Sequence, residues 1–244
     1  MKFDGKEITT VWVDLDDTLI DFAANSRRSL EMLYEREELL QGLFDDAQAW
    51  AACYERHNAA LWAQYNVGLI RREYLRAERF ARPLMEAGLD RDAALEASGR
   101  YDTMYLDLLA CQKKLVDGAR ELMEAMRKRG VRTGVLSNGF REVQFRKIDS
   151  AGLTGLIDTV VLSDDIQVNK PDVRLFEYAM ERSGDSDPAH HLMIGDNPLT
   201  DITGALRAGW SAIWYHPVVS CPPSPCPYGA VEVHSLDAIM PMFE

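Results

Sequence analysis

The segment Ile8–Thr18 constrains the fold more than any other part of the chain. A run of β-branched and aromatic residues, Ile8-Thr9-Thr10-Val11-Trp12-Val13, ends abruptly in Asp14-Leu15-Asp16-Asp17-Thr18. A near-continuous apolar run of this length is typical of a strand buried in the middle of a parallel sheet. Ligands of open parallel α/β sheets bind beyond the carboxyl ends of the strands. We therefore predict a central strand whose terminal aspartates, Asp14 and Asp16, belong to a functional site.

The segment from residue 22 to residue 111 has a different pattern, because helical periodicity continues through it without a convincing strand. The predicted helices are Ser26–Gln41, Asp45–Tyr65, Arg71–Ala87 and Arg91–Leu109. Four consecutive helices separated by short breaks predict a small helical bundle.

Helices and strands alternate in the remainder of the chain. The predicted helices are Gly118–Arg129, Arg141–Ala151, Val173–Ser183, Leu199–Ala208 and a terminal helix, and the predicted strands are Val131–Leu136, Thr159–Leu162, His191–Ile194, Ser211–Tyr215 and Val231–Val233. This alternation predicts a parallel sheet with helices on both faces. We therefore expect an α/β fold: a Rossmann-like core of residues 1–21 and 112–244, with an all-helical domain inserted at 22–111.

The predicted strand ends bring together groups that suit phosphate chemistry. They carry Asp14 and Asp16, then Ser137, Asn138 and Gly139, then Lys170, and finally Asp196 and Asp201. Carboxylates gathered in one place repel one another, so either some stay protonated or a cation lies among them. Oxygen ligands select a hard cation, and their small number favours Mg²⁺. The hydroxyl, the backbone N–H groups and the ammonium are phosphate-binding groups. The set predicts phosphoryl transfer through an aspartyl-phosphate.

Each acidic or basic residue of this set then has a predicted role. Asp14 attacks phosphorus, and Asp16 protonates the leaving oxygen before it deprotonates the hydrolytic water. Asp196 completes a metal site with Asp14 and Asp16. Lys170 neutralises the nucleophile and the transferring oxygens, while Asp201 orients Lys170 or a metal-bound water.

The same segments resemble the four motifs of the haloacid dehalogenase (HAD) superfamily, in the same order. The matching residues are Asp14-Leu15-Asp16-Asp17-Thr18, Ser137-Asn138-Gly139, Lys170-Pro171 and Gly195-Asp196-Asn197-Pro198-Leu199-Thr200-Asp201. The resemblance implies a Mg²⁺-dependent hydrolase. It also implies that residues 22–111 are a helical cap of the C1 type, which in this family closes over the site, excludes water and selects the leaving group.

Within the superfamily, the chain is most similar to the pyrimidine 5′-nucleotidases. The stretches that carry this similarity are Leu136–Gln144, Val161–Asp172 and Asn58–Phe80. The branch commonly has glycine where Gln167 stands here, which is a departure beside Lys170. The resemblance implies that the substrate is a small phosphorylated metabolite, with pyrimidine nucleoside 5′-monophosphates as the expected class.

Other functions remain open at this level. A phosphatase of sugar phosphates or other small phosphomonoesters would use the same core, and so would a hexose-phosphate phosphomutase. A dehalogenase is disfavoured because carbon–halogen chemistry needs neither a metal nor an acid at position 16. A regulatory receiver domain is about half as long and lacks a helical insert. In the predicted cap, Trp62 and Tyr65 could stack on a base or pack in the core of the cap. Arg76 and Arg79 could contact a phosphate or sugar, or lie on the solvated face of a helix.

Composition narrows the partners and the compartment. The net charge of −12 disfavours binding to nucleic acid or to an anionic membrane. The N-terminal residues are charged and contain no apolar run, so we expect a cytoplasmic protein. We expect it to be a monomer or a small homo-oligomer. The cysteines predict reduced thiols, with Cys53 and Cys111 buried and with Cys221 and Cys226 flanking a Pro-rich segment of undetermined role.

Overall fold

A computed structural model describes residues 1–217, 226–227 and 229–244. The chain forms two compact units, Met1–Phe22 with Lys113–Glu244, and Ala23–Gln112. The second unit begins at residue 23 and ends at 112, one residue later at each end than the predicted insert of 22–111. Cys221, Pro222, Pro223 and Pro225 lie outside the described residues. None of the described helices combines the length and the apolar character needed to cross a membrane.

The described strands confirm the predicted α/β fold. They are β1 (Lys2–Phe3), β2 (Lys6–Glu7), β3 (Thr10–Val13), β4 (Arg132–Ser137), β5 (Thr159–Leu162), β6 (His191–Gly195), β7 (Ser211–Tyr215) and β8 (Val231–Val233). Strands β3 to β8 form a parallel sheet in the order β5-β4-β3-β6-β7-β8, and β1 and β2 form a short antiparallel ribbon that was not predicted. The strand order reverses between β3 and β6. Such a reversal opens a crevice at the carboxyl ends of the strands, and Asp14 and Asp196 follow the two strands that flank it.

Helices complete both units. They are α1 (Phe22–Arg36), α2 (Glu38–Leu43), α3 (Ala47–Asn66), α4 (Arg72–Glu86), α5 (Arg91–Ala110), α6 (Ala119–Lys128), α7 (Arg141–Ser150), α8 (Val173–Ser183) and α9 (Thr203–Arg207). In β3, Val11 and Val13 belong to a core that includes Met126 of α6, whereas Trp12 belongs to a core that includes Phe176 of α8. Because successive side chains of a strand point to opposite faces, this partition shows that helices cover both faces of the sheet.

The helical unit has an aromatic core. The ring of Phe80 in α4 lies 4.6 Å from that of Tyr54 in α3 and 5.5 Å from that of Tyr105 in α5. The predicted helix Ser26–Gln41 is divided into α1 and α2, with extended backbone at Glu37. The side-chain amide of Gln41 donates to the carbonyl oxygens of residues 34 and 35, in the last turn of α1, where carbonyl groups lack α-helical partners. Hydrophobic periodicity does not report such a side-chain cap.

Two predicted helices of the first unit differ from the structure. The segment predicted as Leu199–Ala208 contains a wide turn, Pro198–Ile202, in which the Ile202 N–H bonds to the Asn197 carbonyl, followed by the short α9. Wide turns of this kind occur frequently at functional sites. After β8 the chain forms two 3₁₀ turns instead of a terminal helix. Pro241 lacks the N–H that an α-helix would need there.

The cysteine predictions are met in part. Cys53 is buried in α3, as expected, but Cys111 is exposed because it follows the last residue of α5, beyond the packed part of the bundle. Among the described residues, Cys53, Cys111 and Cys226 are free thiols.

Candidate active site

Lys170 lies at the centre of the strand-end residues. Its ammonium group is buried and donates to Asp14 Oδ1 at 2.5 Å and to the Leu136 carbonyl at 2.7 Å, and it lies 2.7 Å from Asp201 Oδ1. The three donors of the ammonium therefore each have an acceptor. Burial lowers the pKa of Lys170, but the charges of Asp14 and Asp201 outweigh this effect and hold the pKa above its usual range. The lysine is a fixed positive charge beside the end of β3.

Three carboxylates meet next to this lysine. Asp14, Asp196 and Asp201 each offer an oxygen within 4.8 Å of the others. Burial raises the pKa of Asp14 to about 7, against the opposing charge of Lys170 and with added repulsion from other acids. Burial also raises the pKa of Asp196 well above its usual range, and the charges of Asp201 and Asp14 add to this effect. The cluster is short of positive charge even with Lys170 in place.

The donor set fits a hard divalent cation such as Mg²⁺, because it consists of carboxylate oxygens. The Thr18 hydroxyl donates to Asp196 Oδ1 at 3.3 Å, which orients that carboxylate. Asp14 and Asp196 are the acids suited to direct ligation. Asp201 is already engaged, since its Oδ1 lies beside Lys170 and its Oδ2 accepts from the Asn197 N–H at 3.1 Å. The carboxylate of Asp16, which was predicted as a ligand, is not part of this cluster.

The close approach of Asp201 depends on Gly195. A Cβ at position 195 would lie 2.3 Å from Asp201 Oδ2, so a side chain there would displace the carboxylate. The wide turn after β6 brings Asp201 back over the strand end. The glycine and the turn together place this acid against Lys170.

Ser137 and Asn138, in the predicted phosphate-binding segment at the end of β4, make different hydrogen bonds. The Ser137 hydroxyl accepts from the Gly139 N–H at 3.1 Å and from Gln144 Nε2 at 2.8 Å, which leaves its own proton to donate. The Asn138 side chain instead pairs with the backbone of Lys170, donating to its carbonyl and accepting from its N–H. Asn138 therefore connects the loop after β4 to the lysine segment.

Asp16 is held by two residues that the sequence did not single out. Gln144 Nε2 donates to Asp16 Oδ2 at 2.9 Å, and the ammonium of Lys147 contacts Asp16 Oδ1. Lys147 also donates to Gln144 Oε1 at 2.8 Å, so the three side chains form a closed network. Gln144 and Lys147 are both buried. They fix both oxygens of the acid that lies two residues beyond Asp14.

A signal for these two residues was present in the sequence of α7. The buried residues of this helix are Val143, Gln144, Lys147 and Ile148, which lie on one helical face. A lysine within an otherwise buried stripe is unusual unless it is paired, so its position on that face indicates a buried charged partner. The sequence alone did not identify Asp16 as that partner.

The four side chains noted in the helical unit make contacts within that unit. Trp62 and Tyr65 pack edge to face with ring centroids 5.4 Å apart. Arg79 is only 3% exposed, so it does not lie on a solvated helix face, which was one of its two predicted placements. Arg79 Nε donates to Asp102 Oδ1 at 2.7 Å, and Arg76 Nε donates to Asp102 Oδ2 at 2.8 Å. Both arginines connect α4 to α5.

Comparisons with known proteins show which family the chain belongs to. A family model of haloacid dehalogenase-like hydrolases matches residues 8–209. The chain is 30% identical over 204 residues to the pyrimidine 5′-nucleotidase PynA of Streptococcus pneumoniae, across 84% of this chain and 82% of the relative. It is 33% identical over 222 residues to the phosphoserine phosphatase of Thermus thermophilus, across 83% of this chain and 86% of the relative. The crystal structure of the HAD-hydrolase YfnB of Bacillus subtilis, bound to magnesium, matches with a TM-score of 0.81 at 25% identity, across 97% of this chain and 99% of that one.

This chain belongs to the family of haloacid dehalogenase-like hydrolases. The matched region contains all four motif segments, from Asp14 to Asp201. The chain is therefore an enzyme of the hydrolase class. Its relatives include a pyrimidine 5′-nucleotidase and a phosphoserine phosphatase, which share phosphomonoester hydrolysis and differ in the substrate that their names state.

Proposed function

We propose that this hydrolase is a Mg²⁺-dependent phosphomonoesterase that acts through an aspartyl-phosphate on Asp14, with pyrimidine nucleoside 5′-monophosphates as its preferred substrates. The observation that carries the proposal is the placement of the buried Lys170 ammonium against Asp14 and Asp201. A carboxylate held in place by a buried cation has a defined orientation for attack. The cation also neutralises its negative charge, so the carboxylate does not repel an anionic substrate. Neither property would be needed in a merely structural ion pair.

In the first step, a carboxylate oxygen of Asp14 forms a bond to phosphorus while the ester P–O bond breaks. Lys170 neutralises the carboxylate and the transferring oxygens. The Ser137 hydroxyl, which accepts from Gly139 and Gln144, donates a hydrogen bond to a phosphoryl oxygen and keeps its proton. The leaving oxygen needs a proton, and Asp16 supplies it.

In the second step, Asp16 removes a proton from a water molecule that attacks the aspartyl-phosphate. The P–O bond to Asp14 then breaks, which releases inorganic phosphate and restores the free carboxylate. Gln144 and Lys147 hold the ionised Asp16 carboxylate at both oxygens, so they orient it as the base of the second step. In the first step Asp16 carries the proton that it transfers, so its protonated oxygen gives up one of these two contacts. Gln144 and Lys147 act as positioning residues.

Asp14 and Asp196 are the carboxylates that would hold Mg²⁺, with Asp201 in an outer position. When bound, the ion would supply the positive charge that the buried carboxylates lack and would neutralise charge on the phosphoryl oxygens. Burial raises the pKa of Asp14 and of Asp196, and repulsion from neighbouring acids adds to both shifts, so a bound cation would favour the ionised carboxylates, in support of this assignment.

The nucleotide preference rests on relatives. The chain resembles the pyrimidine 5′-nucleotidase PynA over most of both lengths, and the stretches Leu136–Gln144 and Val161–Asp172 resemble that branch. We place the enzyme in the cytoplasm, where such monophosphates would be available to it, as a monomer or a small homo-oligomer.

The proposal is tested by phosphate release from UMP, dTMP, AMP, glucose 6-phosphate and phosphoserine, each with Mg²⁺ and with chelator. Asp14→Asn removes the nucleophile, and we expect kcat to fall by about 10³-fold or more. Asp149→Asn is a matched control, because the same change is made at an exposed acid of α7. Its activity should equal that of the wild type.

The outcomes separate the two parts of the proposal. Metal-dependent release that Asp14→Asn abolishes supports the mechanism, and kcat/KM about tenfold higher for UMP and dTMP than for AMP supports the substrate class. A preference for glucose 6-phosphate or phosphoserine would refute the substrate class alone. No release from any substrate by a folded protein would refute both.

A further inference from the structure

The helical unit contains a second group of potential metal ligands, formed by Cys53, His57 and Glu86. Cys53 and His57 are four residues apart in α3, so their side chains lie one above the other on the same face. Glu86 is the last residue of α4. His57 Nε2 lies 2.7 Å from Glu86 Oε2, and one potential ligand atom from each residue lies within 4.8 Å of the other two.

The spacing suits a tetrahedral zinc site. Zinc bonds of about 2.3 Å to sulfur and about 2.0–2.1 Å to nitrogen or oxygen place neighbouring ligand atoms about 3.3–3.8 Å apart. The present spacing therefore needs changes of about 1 Å, which side-chain rotation can supply. Cys53 is buried and gives the site a fixed anchor, whereas the Glu86 side chain is 51% exposed and can turn.

A cation already lies at this cluster. The guanidinium of Arg56 contacts Glu86 Oε1, and its Nη2 lies 3.6 Å from Cys53 Sγ. The Arg56 side chain is 58% exposed, so it can move into solvent without leaving a buried cavity. The electron-rich atoms of Cys53 and Glu86 thus converge on a position that a positive charge occupies and that a metal ion could take over.

We propose that Cys53, His57 and Glu86 bind one divalent cation of the zinc type, with water as a fourth ligand. Thiolate and imidazole ligands select zinc and related cations, whereas the carboxylates beside Lys170 suit Mg²⁺. The ion displaces Arg56 from Glu86 and connects the middle of α3 to the end of α4, so it stabilises the helical unit. This site does not depend on the proposed phosphatase activity.

Titration of the full-length protein with Co²⁺, followed by absorption spectroscopy, tests the proposal. A thiolate ligand produces a charge-transfer band that carboxylate ligands cannot produce, so the band distinguishes this site from the acidic cluster. Zn²⁺ is then added, and the loss of the band as Zn²⁺ displaces Co²⁺ measures the affinity of the site for Zn²⁺ relative to Co²⁺. The readout requires no catalytic activity.

Four variants make the test specific. Cys53→Ser should abolish the band, and Glu86→Gln should weaken Co²⁺ binding by more than roughly tenfold. Glu86→Gln changes an exposed side chain, so it remains informative if Cys53→Ser impairs folding. Arg56→Gln should tighten binding several-fold because it removes the competing cation. Arg27→Gln is its matched control, since Arg27 is a similarly exposed arginine of the same unit, paired with Glu55.

The expected result is a band that saturates at one Co²⁺ per chain, with the variant order Arg56→Gln tightest, then the wild type and Arg27→Gln, then Glu86→Gln. Three results would each overturn the proposal: no thiolate band at millimolar Co²⁺, a band that persists in Cys53→Ser, or binding by Arg56→Gln no tighter than by Arg27→Gln.

Discussion

Replacement of Lys170 by methionine should expose how strongly the site depends on one buried charge. Methionine keeps an unbranched apolar side chain of similar length but cannot donate a hydrogen bond. In the wild type, the ammonium bonds to Asp14 and to the Leu136 carbonyl and pairs with Asp201. The substitution therefore leaves two buried carboxylates without their cation.

The size of the effect follows from these contacts. Removing one partner of a buried ion pair costs about 3–5 kcal/mol. Asp14 relieves part of this cost, because its pKa is already about 7 and Lys170 is the charge that lowers it, so without the lysine it is protonated at neutral pH. Asp201 keeps bonds from Asn197 and Thr200 but loses its cation. We expect a loss of about 3 kcal/mol, at the lower end of that range.

The loss should also depend on pH. The folded-state pKa of Asp14 is raised above the ordinary value of 3.8, so its contribution to stability is greatest below pH 3.8 and is lost as pH rises through about 7. In Lys170→Met this pKa is higher still, so the folded variant binds more protons than the folded wild type above neutral pH. The stability difference should therefore grow as pH rises above about 7.

Urea unfolding in the presence of chelator measures this difference, because a bound metal ion cannot then compensate for the lost charge. Lys147→Met is a matched control, since it removes the other buried lysine of the site. Its partner Asp16 is 28% exposed and keeps the bond from Gln144, so we expect a loss of about 1 kcal/mol. Equal stability of the two variants, or a difference that shrinks as pH rises, would show that Lys170 does not balance the buried carboxylates.

Three further predictions address other parts of the first unit. A hydrogen bond from Thr9 lowers the pKa of Asp185 to about 2, so its stabilising effect is fully present above pH 3.8 and is lost as pH falls through about 2. Asp185→Asn should cost about 2 kcal/mol in urea unfolding at pH 7 and about half as much at pH 3. Gly139→Ala would place a Cβ 2.0 Å from Gln144 Nε2, so we expect about 1–3 kcal/mol of strain and a lower kcat in a folded protein; wild-type kcat would contradict the assigned geometry. Mg²⁺ should raise the Tm of the wild type and have little effect on the Tm of Asp196→Asn, measured by thermal unfolding with Mg²⁺ and with chelator. An equal rise in both proteins would show that Asp196 is not a metal ligand.

Several elements were predictable because local signals define them. The predicted bounds of β5, α8, β7 and β8 equal the observed ones. Asp172 begins α8 by accepting from the Arg174 N–H, and Gly184 ends it with a left-handed backbone. Such caps are readable in a sequence because they act between residues a few positions apart.

Other features depended on contacts that periodicity does not report. Gln41 caps α1 with its side chain and so divides a helix that the pattern continues. Asn197 accepts from the N–H groups of Leu199 and Thr200, and a wide turn precedes α9 where a regular helix was predicted. In both places a side chain satisfies backbone groups and changes the path of the chain.

The sequence by itself determined the parallel sheet and the convergence of Asp14, Ser137, Lys170 and Asp196, because all parallel strands direct their carboxyl ends to one edge. Only the tertiary structure decided which of these groups bond to one another. It paired Lys170 with Asp14 across 156 positions, and it paired Asp16 with Lys147 across 131. The physical reason is that a buried charge must find a partner at hydrogen-bond distance, and that distance is set by how helices pack on the sheet. A sequence pattern locates the edge of the sheet but does not specify this packing.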